Sequence, residues 1–297
     1  MLSVIVKNQL ITAKSFYAEF KPTTEFDGFV ESIYCLKDEG DLTNINQTIF
    51  ASNTTDLTFY YPDAAKVPSF NETFSYPKIS IKKPTSSHKK RNAKFSGWLF
   101  GVRFNYACEN ALKHISPQIL SSAIQAQKQI MIEEGSFNEC PSLFFQLCRE
   151  VKNRLINSNA SIEISLKELA PLYEGVGQNI RTQDLADHLS ISQRTLQRKT
   201  IATFGLAPKK LLTIKRLKHV LSNVLHSSDK LQSPDFIHEL IGSDYVDQSH
   251  FSKEFKTIVG RPPGEFSKNW TDAIKNMRVQ ILQDNHKEDN LRTLFWK

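Results

Sequence analysis

The sequence predicts an α+β protein. A β-rich N-terminal domain, a sheet or barrel with helices, precedes an all-α C-terminal domain of two helix-turn-helix units joined by a long helix. Three observations carry this prediction. Residues 1 to about 107 hold short β-branched and aromatic runs punctuated by Pro and Gly. After residue 107 the apolar residues recur at helical spacing. In the last third of the chain one helical unit occurs twice.

The strand runs come first. SFYAEF places Phe16, Ala18 and Phe20 on one face, TDLTFYY is β-branched and aromatic, and GWLFGVRF sets Trp98, Phe100, Val102 and Phe104 on one side. Pro22, Gly28, Gly40, Pro62, Pro77 and Pro84 separate these runs, as expected of a mainly antiparallel architecture. The basic run SSHKKRNAK, residues 86–94, reads first as a solvated hairpin tip and second as a contact for a polyanion.

Helical spacing then takes over. Ser116 followed by Pro117 forms a cap and first-turn pair, so a helix is expected from about Ser116 with Ile119, Leu120, Ile124, Ile130 and Met131 on its apolar side. In CPSLFFQLCREVKNRLIN, Phe144, Leu147, Cys148, Val151 and Leu155 form one stripe, which either seals the core of its own domain or supplies a seam between two subunits. Residues 161–173 read as a short helix, and EGVGQN, residues 174–179, reads as a joint. Its GxG is a weak phosphate-loop signal, because no strand precedes it and no Lys follows.

The stretch RTQDLADHLSISQRTLQRKTIATFG, residues 181–205, is the first of the two units. Leu185, Ala186 and Leu189 share a helical face, Ser192 caps a second helix after a short break, and Leu196 lies on that helix's inward face. Gln193, Arg194, Gln197 and Arg198 then point outward. Arg side chains can reach phosphates or guanine edges, and Gln can pair with adenine. HFSKEFKTIVGRPPGEF, residues 250–266, aligns without gaps on TLQRKTIATFGLAPKKL, residues 195–211. Phe251 answers Leu196, Lys253 answers Arg198, Gly260 answers Gly205, Pro263 answers Pro208 and Phe266 answers Leu211. Asp247 answers Ser192 as the second cap, and Leu240 with Ile241 answers Leu185 with Ala186. Between the units, residues 209–226 carry an apolar helical stripe of Leu212, Leu217, Val220, Leu221, Val224 and Leu225. A helix of that length spans about 27 Å, commensurate with successive major grooves about 34 Å apart.

Charge separates this region from the rest. The net charge is +7. Lys and Arg against Asp and Glu number 19 and 18 over residues 1–179, 14 and 9 over 180–270, and 5 and 4 over 271–297. From Ile191 to Lys218 eight basic residues occur with no acidic one, whereas an ordinary solvated helical surface mixes signs. A one-sign run through Leu-rich, folded sequence implies a polyanion partner. No window approaches eighteen consecutive apolar residues and the N-terminal apolar patch is too interrupted for a secretory signal, so a cytoplasmic protein without a membrane partner is expected. Cys35, Cys108, Cys140 and Cys148 form no CxxC pair and have no zinc-type spacing, so they are expected as reduced, buried thiols, with no metal or cofactor and no catalytic residue.

LADHLSISQRTLQR, FGLAPKKLLTIKRLKHVL and DQSHFSKEFKTIVGRPP, between about residues 180 and 270, resemble the DNA-binding domain of the AraC/XylS bacterial transcription regulators. One departure is the second turn, IGSDYVDQSHF, where Leu240 or Ile241 stands for a small residue and Asp244 for a glycine. The resemblance implies a β-rich effector or dimerisation domain over residues 1–160, a linker helix and joint over 161–179, the double helix-turn-helix domain over 180–270 and a helical tail over 271–297. It implies a sequence-specific transcription regulator controlled by a ligand or by dimerisation. The DNA-contacting residues expected on this basis are Gln193, Arg194, Gln197, Arg198, Lys209, Lys210, Gln248, Ser249, His250 and Lys253. The implied partners are double-stranded operator DNA, a small-molecule effector, RNA polymerase and a second copy of the chain in a homodimer. GWLFGVRFNYACENAL, residues 97–112, faintly resembles the end of a family sensor domain and names no effector. Two alternatives stand beside this reading. One is a DNA-repair enzyme with the same module, whose nucleophile would be Cys108 near His114. The other is a regulator whose N-terminal half is only a protein-interaction module.

Overall fold

The computed structural model describes residues 15–20, 23–38, 46–49, 51–62, 77–92, 97–132, 137–157, 181–225, 248–268 and 291–293. The N-terminal half is built on two antiparallel sheets. Strands β1 (Ser15–Phe20), β2 (Val30–Asp38), β4 (Thr55–Pro62), β5 (Lys78–Lys82), β7 (Gly97–Phe104) and β8 (Leu291–Thr293) form the larger, in the order β5-β4-β7-β2-β1-β8. Strands β3 (Asn46–Ile49) and β6 (Lys89–Asn92) pair separately. The order is that of an open sheet with β5 and β8 at its edges. The basic run 86–94 therefore contributes the strand Lys89–Asn92 and the loop before it.

Alternation decides which face is buried. On β7, Trp98, Phe100, Val102 and Phe104 are all buried on the side expected from the sequence, as are Leu57, Phe59 and Tyr61 on β4. Trp98 stacks on Phe100 at 5.7 Å and Tyr61 meets Phe100 edge-on at 6.1 Å. The opposite face carries a smaller cluster of Tyr34 and Leu36 with Tyr60 and Leu99. Gly101 leaves room there for a ring. It pairs with Tyr34 across the sheet, and a Cβ at residue 101 would stand 2.2 Å from the Tyr34 ring carbon Cζ. The bare backbone lets that ring lie over the strand, with the Arg103 guanidinium 4.3 Å from its centroid.

Helices α1 (Glu109–Lys113), α2 (Pro117–Ile132) and α3 (Phe145–Asn157) follow the sheet. Helix α2 begins where Ser116–Pro117 predicted, and the Ser116 Oγ accepts from the Ile119 N–H at 3.3 Å. The stripe Phe144, Leu147, Cys148, Val151 and Leu155 is buried in the same core as the sheet, so of its two readings the structure realises closure of its own domain. Arg149 clasps the Glu25 carboxylate through Nε at 2.6 Å and Nη2 at 2.8 Å, and this hydrogen bond holds the Glu25 carboxyl below its usual range.

The C-terminal half contains α4 (Thr182–His188), α5 (Gln193–Phe204), α6 (Pro208–Leu225), α7 (Gln248–Val259) and α8 (Pro263–Lys268). Its buried Leu185, Ala186, Leu196, Phe204, Leu211, Ile214, Leu217, Phe251, Phe255 and Val259 belong to one continuous core with the sheet. One expectation is corrected. The sequence resemblance implies a helical tail over 271–297, but Leu291–Thr293 is a strand that pairs antiparallel with β1. Strand β1 would otherwise present a row of unpaired N–H and C=O groups, and an added strand satisfies them. The short helix at 161–173, the joint at 174–179, the second cap Asp247, the second turn through Asp244 and the remainder of the tail lie outside the described residues.

Candidate nucleic-acid interface

The first unit is assembled by local signals. Asp184 at the third position of α4 reaches back to the Arg181 N–H at 2.8 Å, which satisfies one of the donors left open at a helix start. Between α4 and α5, Ser190 takes a left-handed conformation at φ 54°, and the Ile191 N–H bonds the Ala186 carbonyl at 2.9 Å. Ser192 then caps α5, its Oγ accepting from the Thr195 N–H at 3.1 Å. Leu185, Ala186 and Leu196 are fully buried where the two helices meet, and Leu189 packs partly against them.

Because Leu196 and Thr200 face inward, Gln193, Arg194, Gln197 and Arg198 are left exposed together on the outer surface of α5. Gln193 donates from Nε2 to Gln183 Oε1, which ties the first turn of α5 to α4. Arg194 and Arg198 form no salt bridge with another described residue. Lys209 and Lys210 are exposed in the first turn of α6, and the Lys209 carbonyl accepts from the Thr213 hydroxyl at 2.8 Å.

The described part of the second unit, α7 and α8, repeats the geometry of α5 and the start of α6. Helix α5 ends on Gly205 at φ 70° and α7 ends on Gly260 at φ 91°. The left-handed backbone suits glycine, as both alignment partners require. Each is followed by a helix whose first residue is proline, Pro208 or Pro263. Phe251 is fully buried at the position answering Leu196. Gln248, Ser249, His250 and Lys253 are exposed on α7. His250 Nε2 lies 3.5 Å from the Glu254 carboxylate one turn on, a pairing that holds part of the second face to its own helix.

Lys210 and Lys253 sit differently from the others. Both line a cleft of about 100 Å³ that also touches Ser86, Glu254 and Ile258, where α6 and α7 meet the loop before β6. They lie beside Ser86 of the sheet domain. Sequence reasoning did not find the residues that join the halves. The Tyr106 ring stacks on Phe204 at 5.5 Å, and main-chain bonds from Ala51, His88 and Ala107 reach α5 and α7. These contacts are about a hundred or more residues apart in sequence, and no local pattern announces them.

Burial also decides the thiol chemistry. Cys35, Cys108, Cys140 and Cys148 are free and buried. Loss of solvation pushes the Cys35, Cys108 and Cys148 thiols well above their usual range. For Cys108 this is the opposite of the lowered range that activates a methyl-acceptor nucleophile. No helix among the described residues is long and apolar enough to cross a membrane.

Among the described residues, one capped helix pair, α4 and α5, is followed by the long helix α6 and by α7, a second helix with an outward-facing polar side, as expected of a helix-turn-helix DNA-binding domain. Residues 185–269 match the family described as a helix-turn-helix domain. The chain is 29% identical over 125 residues to the HTH-type transcriptional activator RhaS of Escherichia fergusonii, a match covering 41% of this chain and 43% of that relative. The matched segment thus spans less than half the length of the relative. The match bears out the resemblance of this part of the chain to the DNA-binding domain of the AraC/XylS transcription regulators. Among solved structures, ToxT from Vibrio cholerae O395 aligns over 86% of this chain and 96% of its own, with 11% identity and a TM-score of 0.33. Fatty acid-bound ToxT from strain SCE256 aligns over 87% and 96%, with 12% identity and a TM-score of 0.37.

Proposed function

We propose that this chain is a sequence-specific, cytoplasmic transcription regulator that binds operator DNA with α5 and α7. The carrying observation is the exposed cluster Gln193, Arg194, Gln197 and Arg198 on a helix fixed by buried Leu196, within a stretch free of acidic residues from Ile191 to Lys218. Side chains of these types can read base edges, and the lysines of the first turn of α6 suit phosphate. Gln248, Ser249, His250 and Lys253 form the matching face of the second unit, and Lys209 and Lys210 are assigned to the backbone. Residues 180–270 are the DNA-binding domain in this reading. Residues 1–160 are the controlling domain, acting through an effector, through homodimerisation, or both, with RNA polymerase as the further partner.

The test is titration of the full chain against duplexes enriched by selection from random sequence. Binding should weaken steeply with salt, with a slope of about −0.9 in log K against log salt for each phosphate neutralised. A folded chain that binds DNA with no salt slope contradicts the reading.

A further inference from the structure

The sheet domain holds the two recognition helices at equivalent points. In the gapless alignment Thr203 of the first unit answers Ile258 of the second, each two residues before the terminating glycine. The Ala107 N–H donates to the Thr203 carbonyl at 2.9 Å, and the Ala51 N–H donates to the Ile258 carbonyl at 3.0 Å. Both carbonyls belong to the last turn of a helix, where no intrahelical donor remains. The N-terminal domain supplies the missing donor to both helices, at the same position in each.

The two donors are themselves tied together. Thr55 opens β4 opposite Phe104 of β7, its hydroxyl donates to the Tyr106 carbonyl at 2.7 Å, and it lies 3.4 Å from the Cys108 N–H. This fully buried hydroxyl therefore brackets Ala107 from the segment that carries Ala51. The loop before β6 joins them: Ser52 and Thr85 exchange backbone bonds at 3.0 and 2.8 Å, and the His88 N–H donates to the Thr257 carbonyl at 3.0 Å. Tyr106 completes the seat, stacked between Phe29 at 5.7 Å and Phe204 at 5.5 Å.

We propose that this end of the sheet is a yoke that sets the separation and mutual angle of α5 and α7, so that the N-terminal domain determines which half-site spacing the chain accepts. Thr55 and Tyr106 are its positioning residues. The proposal rests on the DNA-binding reading above. Gln193, Arg194, Gln197 and Arg198 stand exposed on the first two turns of α5, and Gln248, Ser249 and His250 on the first turn of α7, so the seat at the helix ends leaves them open, while the exposed Lys253 lies nearer to it, on the cleft beside the loop before β6. Moving one half-site by a single base pair shifts it by about 3.4 Å and turns it by about 35°, a change that a rigid pair of helices cannot follow.

The experiment uses the full chain with spin labels on Ala202→Cys and Lys256→Cys, both exposed, while the four native thiols are buried. Pulsed electron resonance should give one narrow distance between α5 and α7. Thr55→Val with Tyr106→Leu should lose that peak to a broad distribution, whereas Thr55→Ser with Tyr106→Phe, which keeps the hydroxyl and the ring, should retain it. If the first pair fails to fold by circular dichroism, Tyr106→Leu alone carries the measurement. On selected duplexes whose half-sites are moved by one or two base pairs, the unaltered chain should discriminate sharply and the loosened chain should lose that discrimination. A distance peak unchanged by the substitutions overturns the yoke and leaves the DNA-binding reading intact. A peak that broadens in a chain with no salt-dependent DNA affinity overturns that reading, and with it the role in spacing.

Discussion

Replacing Arg198 by Ala separates base reading from backbone anchoring. The side chain is exposed on α5, one turn from Arg194 and on the face opposite buried Leu196, so its removal opens no cavity and should change folding stability by less than about 0.5 kcal/mol. If the guanidinium pairs with a base edge, the loss on the preferred duplex is about 1 to 3 kcal/mol. That corresponds to a factor of roughly 5 to 160 in affinity, with preference relaxed at one or two base pairs. Gln197→Ala should behave in kind. Lys209, in the first turn of α6, is assigned to phosphate in the proposed function. Lys209→Ala should weaken all sequences alike and reduce the salt slope by about one. Fluorescence anisotropy with the selected duplex, its single-base variants and random DNA, at several salt concentrations, measures both quantities. If Arg198→Ala and Gln197→Ala weaken every sequence equally, neither residue reads bases.

Three further outcomes can be measured. Base substitutions under the second unit should cost less affinity than those under the first, because α7 offers short or neutral side chains and pairs His250 with Glu254; single-base scanning of both half-sites checks the order. Ser192→Ala removes the acceptor for the Thr195 N–H and should lower stability by about 1 kcal/mol, seen as a lower midpoint in thermal or urea unfolding, while Ser192→Thr should largely preserve it. Cys108→Ser should leave output from a promoter reporter intact, since the thiol is buried and held protonated; abolished output in a folded variant would revive a nucleophilic role.

Much of this architecture was legible because its signals are local. A cap at Ser192, a glycine at 205, a proline at 208 and an inward Leu196 are requirements of backbone hydrogen bonding and helical periodicity, satisfied within a few residues. The alternation in GWLFGVRF likewise shows the buried face of β7. What was not legible depends on distant pairings. The strand at Leu291–Thr293 exists because β1 has an open edge far away in the chain, and its three residues carry too short a pattern to oppose a helical reading. The fate of the Phe144–Leu155 stripe depended on whether a sheet or another subunit lay over it. The stacking of Tyr106 on Phe204 carries no signature either, since an aromatic after a strand packs somewhere in almost any fold. For the candidate site, the outer face of α5 followed from the position of Leu196, whereas the placement of Lys210 and Lys253 beside the sheet domain required the tertiary fold.

The attachment of α5 and α7 to the sheet uses main-chain atoms: amides of Ala51, His88 and Ala107 meet carbonyls of Ile258, Thr257 and Thr203. A peptide carbonyl is the same acceptor whatever side chain its residue bears. The outward positions of both helices can therefore exchange one amino acid for another without disturbing how the helices are held. Selection for a new operator could act on Gln197 or Arg198 alone, and the scaffold would transmit the same geometry to a different DNA sequence. Specificity and mounting are thereby inherited separately within a single helix.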